Sequence, residues 1–283
     1  MKNRMGIIIA VLVLLTVILL PGRNSEADFM IKLFLCESQS SIDIPLEDYV
    51  AGVVLAEMPG SFEIEALKAQ AICARTYTLN KHFSASGHKS EAAVCDNFRH
   101  CQDFITPSDY LDCHPNCEWV VTKVQQAVEA TRGEVITLDG ELIEPVYHST
   151  CGGHTESSQI VWGYDYCYLQ GVPCPWDSES PYHCKVQNIS IMEFRKALNL
   201  LPGCSVIPQR MRSTENGTVA QIVWGQLNMT GQEVREALKL PSARFSIDME
   251  GDNVVVTTSG NGHGVGLCQY GANGMAERGK NYQ

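Results

Sequence analysis

The sequence predicts an α+β protein: a single-pass N-terminal membrane helix followed by a mixed helix/sheet ectodomain with a Cys/His-rich loop. Three observations carry this. Residues 6–20 (GIIIAVLVLLTVILL) are uncharged and apolar or nearly so, and Lys2 and Arg4 precede them. Beyond them, stretches with helical periodicity are interleaved with strand-like alternation. Finally, 12 cysteines in 283 residues is a high count, and several crowd a polar stretch at 83–118 that lacks periodicity.

At ~1.5 Å per residue the apolar run reaches ~23 Å, short of a ~30 Å hydrocarbon core, so Met5, Pro21 and Gly22 would have to extend it. The alternative is a cleaved secretory signal, but the following Pro-Gly-Arg-Asn-Ser-Glu-Ala-Asp has no clear A-x-A site. The reading is residues 1–28 as cytoplasmic tip and transmembrane anchor, and 29–283 as a domain outside the cell membrane, with 83–118 as an insertion.

Phe29–Cys36 alternates as a strand. Pro45 opens a helix whose Leu46, Tyr49, Val50, Val53 and Val54 recur at helical spacing, and Pro59-Gly60 stops it. A second helix is expected from about Glu63 to Lys81, with Ser61 as cap, and a third over Glu118–Arg132 closed by Gly133. Glu134–Leu138 and Glu141–His148 read as a hairpin through Asp139-Gly140. Ser190/Glu193 and Thr230/Glu233 are capping boxes opening short helices. Strands near Arg244–Met249 and Asn253–Thr258 precede a glycine-rich tail.

Lys+Arg 21 against Asp+Glu 32 gives a net charge of −11. So acidic a chain lacks the basic footprint that phosphate binding needs, which excludes a nucleic-acid partner.

One residue breaks the pattern of the first helix. Glu57 continues the stripe of Val50, Val53 and Val54, and a carboxyl group on a buried face is costly unless paired or protonated. Burial raises its pKa, as a general acid near neutral pH requires. On the second helix Lys68 and Arg75 lie along the apolar stripe, and a tight Pro-Gly turn would face them toward Glu57. A buried structural ion pair is the competing reading. No second acidic residue stands at a matched spacing, although ordinary glycoside hydrolysis uses two carboxylates.

Three blocks resemble the stage II sporulation protein D family, which includes an amidase-modifier branch: LEDYVAGVVLAEMPGSFEIEALKAQAICARTYTL (46–79), HSTCGGHTESSQIVWG (148–163) and GHGVGLCQYGANGMAERGKNY (262–282). The resemblance spans nearly all of the chain after the anchor. It implies a lytic transglycosylase with a substrate groove, cleaving peptide-stripped peptidoglycan between N-acetylmuramic acid and N-acetylglucosamine and leaving 1,6-anhydro ends. It also implies a place at the septum during engulfment of the forespore. By the family motif Glu57 is catalytic and Lys68 and Arg75 support it. Ser149, Thr150, Gly152, Gly153, His263, Gln269 and Tyr270 line the groove, for which tight turns in a packed core are the alternative. Trp162, Tyr164, Tyr166, Tyr168 and Trp176 are available to stack on sugars or to pack a core. Implied partners are a sporulation amidase/endopeptidase (stage II sporulation protein P) and the membrane protein stage II sporulation protein M. The family pattern continues past the GKNY motif, so a further short segment is expected beyond Gln283. The modifier branch suggests the competing function, a non-catalytic glycan-binding module that stimulates a cell-wall amidase.

His88, Cys95, His100 and Cys101 offer two nitrogens and two thiolates, the donor set of a closed structural zinc site. The sporulation branch is similar here, with a variable first gap that makes His82 the substitute for His88. A disulfide through Cys95 or Cys101 and free thiols are the other readings. Cys113, Cys117, Cys151, Cys167, Cys174 and Cys184 stay open between a second metal site, disulfides and buried thiols.

Overall fold

The computed structural model describes residues 15–19, 28–84 and 91–283. Strand Met30–Leu35 pairs antiparallel with Ser40–Pro45 and parallel with Val94–Cys95. Helix α1 (Leu46–Glu57) follows at Pro45, and α2 (Ile64–Phe83) runs back against it. The cap of α2 is Glu63 and not Ser61, and no side chain closes it. Of the 83–118 segment, the described residues 91–118 include a part folded onto α1. Phe104 stacks on Tyr49 at 5.3 Å, and α3 (Pro107–Cys113) is capped by Thr106. Helix α4 (Glu118–Ala130) completes a first core in which Val50, Val53, Val54, Leu67 and Val124 are fully buried.

The expected membrane helix is overturned. Among the described residues no helix is long and apolar enough to cross a membrane, so the single-pass membrane assignment falls with it. Leu15–Leu19, inside the apolar run, is a strand paired antiparallel with Glu134–Leu138. The physical reason lies in length and side-chain shape: the run is short for a span, and Thr16, Val17 and Ile18 are β-branched residues that favour extended backbone.

The Asp139-Gly140 turn forms with both residues at positive φ, 53° and 87°, as a two-residue hairpin demands. The return strand is shorter than expected, Glu141–Leu142. Pro145 lacks an N–H to continue the ladder, and Tyr147–His148 pairs instead in parallel with Leu267–Cys268. At Gly266 (φ +75°) an added Cβ would lie 2.2 Å from the Val146 carbonyl oxygen. Gly266→Ala is therefore expected to destabilise the fold by about 1–3 kcal/mol, read as a lowered Tm.

After the short helix α5 (Ser158–Trp162), a second core is built from residues inserted between the two strands of that parallel pair. Strands Lys185–Ser190, Asn253–Thr258 and Phe245–Glu250 form one sheet, with Asn253–Thr258 central. Arg210–Ser213, Val219–Trp224 and Leu227–Met229 form another. Helices α6 (Ile191–Ala197) and α7 (Gly231–Leu238) carry both expected capping boxes and close over Phe194, Trp224 and Val256. The chain then returns, and α8 (Gln269–Ala276) packs on α2 of the first core.

Candidate active site around Glu57

Glu57 is the last residue of α1, at the point where the helix leaves the core. Its Oε1 accepts the Asp103 backbone N–H at 2.9 Å and lies 3.4 Å from the Tyr147 hydroxyl. Tyr147 donates more closely to Gln102 Oε1, at 3.0 Å, and Gln102 Nε2 in turn donates to Thr78 Oγ1 at 3.2 Å. Burial raises the Glu57 pKa, and the neighbouring Asp103 charge adds to the rise. The Asp103 amide and the Tyr147 hydroxyl oppose it. Burial lifts the Tyr147 phenol as well, so it stays a donor.

Glu57, Gln102 and Tyr147 wall a cavity of about 240 Å³ with Tyr77, Phe98, Cys101, Pro145, Val146 and His263. Beside it, sharing Val146, is an apolar groove of about 380 Å³ lined by Trp162, Tyr164 and Tyr166. Tyr164 is 70 % exposed, and the Trp162 ring lies 5.1 Å from that of His263. A larger cavity, about 420 Å³, opens between α2 and α8. The carboxylate lining it, Glu65, is bonded to Lys68 at 2.7 Å, which lowers its pKa. That group stays ionised and is unsuited to donate a proton.

Of the residues expected to surround Glu57, His263 is brought to its cavity. His263 Nε2 donates to the Tyr147 carbonyl at 2.9 Å and Nδ1 accepts the Val265 N–H at 3.1 Å. Burial holds its pKa down to about 3, so it is a fixed neutral ring with both nitrogens engaged. Lys68 and Arg75 do not face Glu57. Lys68 pairs with Glu65, and fully buried Arg75 forks onto Glu47 with contacts of 2.9 and 2.6 Å. Glu47, in the first turn of α1, and Arg75, within α2, thus form a buried ion pair that excludes Glu57.

Ser149 and Thr150 hydroxyls are 3.2 Å apart, and buried Thr150 is 2.6 Å from Ser180 Oγ. Gly152 donates its N–H to Asp177 at 2.6 Å, and Gly153 adopts φ 101°. Gln269 is buried and donates to Gln70 at 3.3 Å, tying α8 to α2. Tyr270 packs edge-on to Phe62. These contacts are tight turns and core packing around the site.

Cys95, His100 and Cys101 place one ligand atom each within 4.8 Å of one another, a group able to hold a metal ion. His100 Nδ1 is 3.5 Å from both sulfurs. His88 lies outside the described residues. His82, the substitute, packs edge-on against Phe29 and Phe83 instead of joining the group.

A family model described as Stage II sporulation protein matches residues 37–138. Stage II sporulation protein D of Bacillus subtilis (strain 168) is 36% identical over 253 residues, spanning 88% of this chain and 74% of that relative. The chain belongs to the stage II sporulation protein D family. Stage II sporulation protein D of Bacillus amyloliquefaciens agrees, at 35% over 263 residues, 90% of this chain and 75% of its own length. An amidase enhancer of Bacillus subtilis is more distant, 24% identical over 286 residues and 38% of its length. The sporulation-family match takes in Glu57, Asp103 and the Cys95/His100/Cys101 group and stops before Tyr147. Tyr147, Gln102 and Asp103 escaped sequence reasoning. Their signal was adjacency alone, since Gln102-Asp103 follows Cys101 and Tyr147 precedes the His148 block.

Proposed function

We propose that this sporulation-family protein is a peptidoglycan lytic transglycosylase in which Glu57 serves as both acid and base. The observation that carries this is a single raised carboxyl group at the wall of an open cavity beside an aromatic groove. Both bonds recorded to Glu57 among the described residues go to Oε1, which leaves Oε2 to carry the exchangeable proton. Protonated Glu57 gives that proton to the glycosidic oxygen as the bond from C1 of N-acetylmuramic acid breaks. The resulting carboxylate takes the proton of the same sugar's C6 hydroxyl while O6 bonds to C1, closing the 1,6-anhydro ring and restoring the acid. No water is consumed, so no second carboxylate is required. The substrate is glycan already stripped of peptides, during septal wall remodelling in engulfment, with stage II sporulation proteins P and M as partners.

Incubating the protein alone with peptide-free glycan strands is expected to release 1,6-anhydro ends, identified by mass. Reducing ends would mean hydrolysis. Trp162 would stack on the glycan, and Trp162→Ala is expected to weaken binding about tenfold, ~1.4 kcal/mol, seen as raised KM with kcat held. The distant amidase enhancer favours a second reading, a non-catalytic glycan-binding modifier. In that case the protein releases no product alone and accelerates an added cell-wall amidase.

Zinc fits the Cys95/His100/Cys101 group, whose two thiols flank one imidazole nitrogen, with His88 as fourth ligand. Four protein ligands leave no open position, so the metal's contribution is structural. The group adjoins Gln102 and Asp103, which hold Tyr147 and Glu57. Cys101→Ser is expected to keep the overall fold, become protease-sensitive near residues 90–115 and lose activity as the Asp103 amide shifts. Limited proteolysis followed by mass mapping checks this.

A further inference from the structure

A second group of cysteines converges behind the Glu57 cavity. Cys268 stands in register with His148 across the parallel strand pair and caps α8, where its Sγ accepts the Gly271 N–H at 3.3 Å. Cys174 ends a short strand paired with Gly153. His148, Cys151 and Cys268 place their ligand atoms within 4.8 Å of one another, all buried. Cys174 packs against both thiols in the same buried cluster.

His148 supplies an independent pointer to a ligand. Its Nδ1 lies 3.0 Å from the Val265 carbonyl and so donates there, which leaves Nε2 as a bare lone pair. That Nε2 is buried without a hydrogen-bond partner. The helix start is crowded against the same space: a Cβ on Gly271 would lie 2.4 Å from Cys174 Sγ and 3.1 Å from Cys268 Sγ. Only a glycine lets the backbone amide approach closely enough to stabilise a thiolate.

We propose that His148, Cys151, Cys174 and Cys268 form a closed tetrahedral zinc site, separate from the Cys95/His100/Cys101 group. Thiolates and a neutral imidazole are the donors that suit zinc. Binding forms Zn–S bonds as the thiol protons leave to solvent, with no oxidant or reductant involved. Asp177 Oδ2 lies 3.2 Å from Cys151 Sγ, and it stays outside the ligand set, held by the Gly152 N–H and by His183. The ion would join strand Tyr147–His148 to the start of α8 and so hold Tyr147, the neighbour of Glu57, in place.

The test uses the full chain, expressed with zinc and purified without chelator, in a Cys101→Ser background that disables the other group. Elemental analysis is expected to find one zinc remaining per chain, lost when Cys268→Ser is added. Cobalt substitution in the Cys101→Ser protein is expected to give the thiolate charge-transfer and tetrahedral ligand-field bands of a three-thiolate site. That arm decides the matter even if Cys268→Ser fails to fold. Absence of metal and of those bands, metal content unaffected by Cys268→Ser in folded protein, or a disulfide between two of the three cysteines by mass would overturn the proposal.

Discussion

Glu57→Gln is expected to lower release of 1,6-anhydro ends by about 10²–10⁴-fold, the share that a positioned general acid contributes, with glycan binding nearly unchanged. Glutamine keeps the acceptor that the Asp103 amide uses but has no proton to give. The same substitution has a stability signature of opposite sign. Because burial raises the Glu57 pKa in the folded state, the folded chain binds that proton more tightly than the unfolded chain. The resulting contribution to stability is complete below the ordinary carboxyl pKa, about 4, and is lost as pH rises through the raised value. The variant has no such loss, so it is expected to be at least as stable as the parent at neutral pH, with the gap closing in acid. Tm measured across pH for both proteins checks this. A parent that is clearly the more stable near neutrality would mean that the fold favours the carboxylate, and Glu57 would then be a poor acid. Activity in the parent should fall on the alkaline side, where the proton is gone.

Arg75→Met is expected to cost about 3–5 kcal/mol of folding stability, the range for breaking one side of a buried ion pair. Arg75 is fully buried and satisfies four acceptors. Nε and Nη2 bond the Glu47 carboxylate, Nη1 donates to the Glu134 carbonyl at 3.1 Å, and Nη2 also reaches the Val128 carbonyl at 3.3 Å. Those groups belong to the first turn of α1, the strand after α4 and the last turn of α4, so one guanidinium ties three elements together. Removing it strands the Glu47 carboxylate and two carbonyls. Adding Glu47→Gln should return part of the loss, since the double variant no longer holds an unpaired charge. Urea denaturation measures the cost, and turnover per folded molecule separates the roles. Unchanged stability with collapsed kcat would return Arg75 to the catalytic support that the family motif implies.

Features set by neighbours a few residues apart were legible in the sequence itself. Pro45 and Pro59-Gly60 bound α1 as expected, both capping boxes close as their spacing dictates, and Asp139-Gly140 makes the hairpin turn. Glu57 stood out because a carboxyl group on a valine stripe is a local contradiction. The membrane helix was misread for a related reason. Hydropathy reports that residues 6–20 are apolar, whereas the strand at Leu15–Leu19 depends on a partner more than a hundred residues away.

What only the tertiary structure decided is which distant groups meet. Glu47 claims Arg75 across 28 residues, and Tyr147 reaches Glu57 across 90. His148, Cys151 and Cys268 converge because a second core is inserted between the two strands of one parallel pair. Periodicity and capping act through contacts within a turn or two of helix, so the sequence displays them directly. Cys95, His100 and Cys101 lie within seven residues, so their spacing displays them as a ligand group, whereas the partners of Glu57 and the meeting of His148 with Cys268 depend on which groups the topology carries into the same few ångströms.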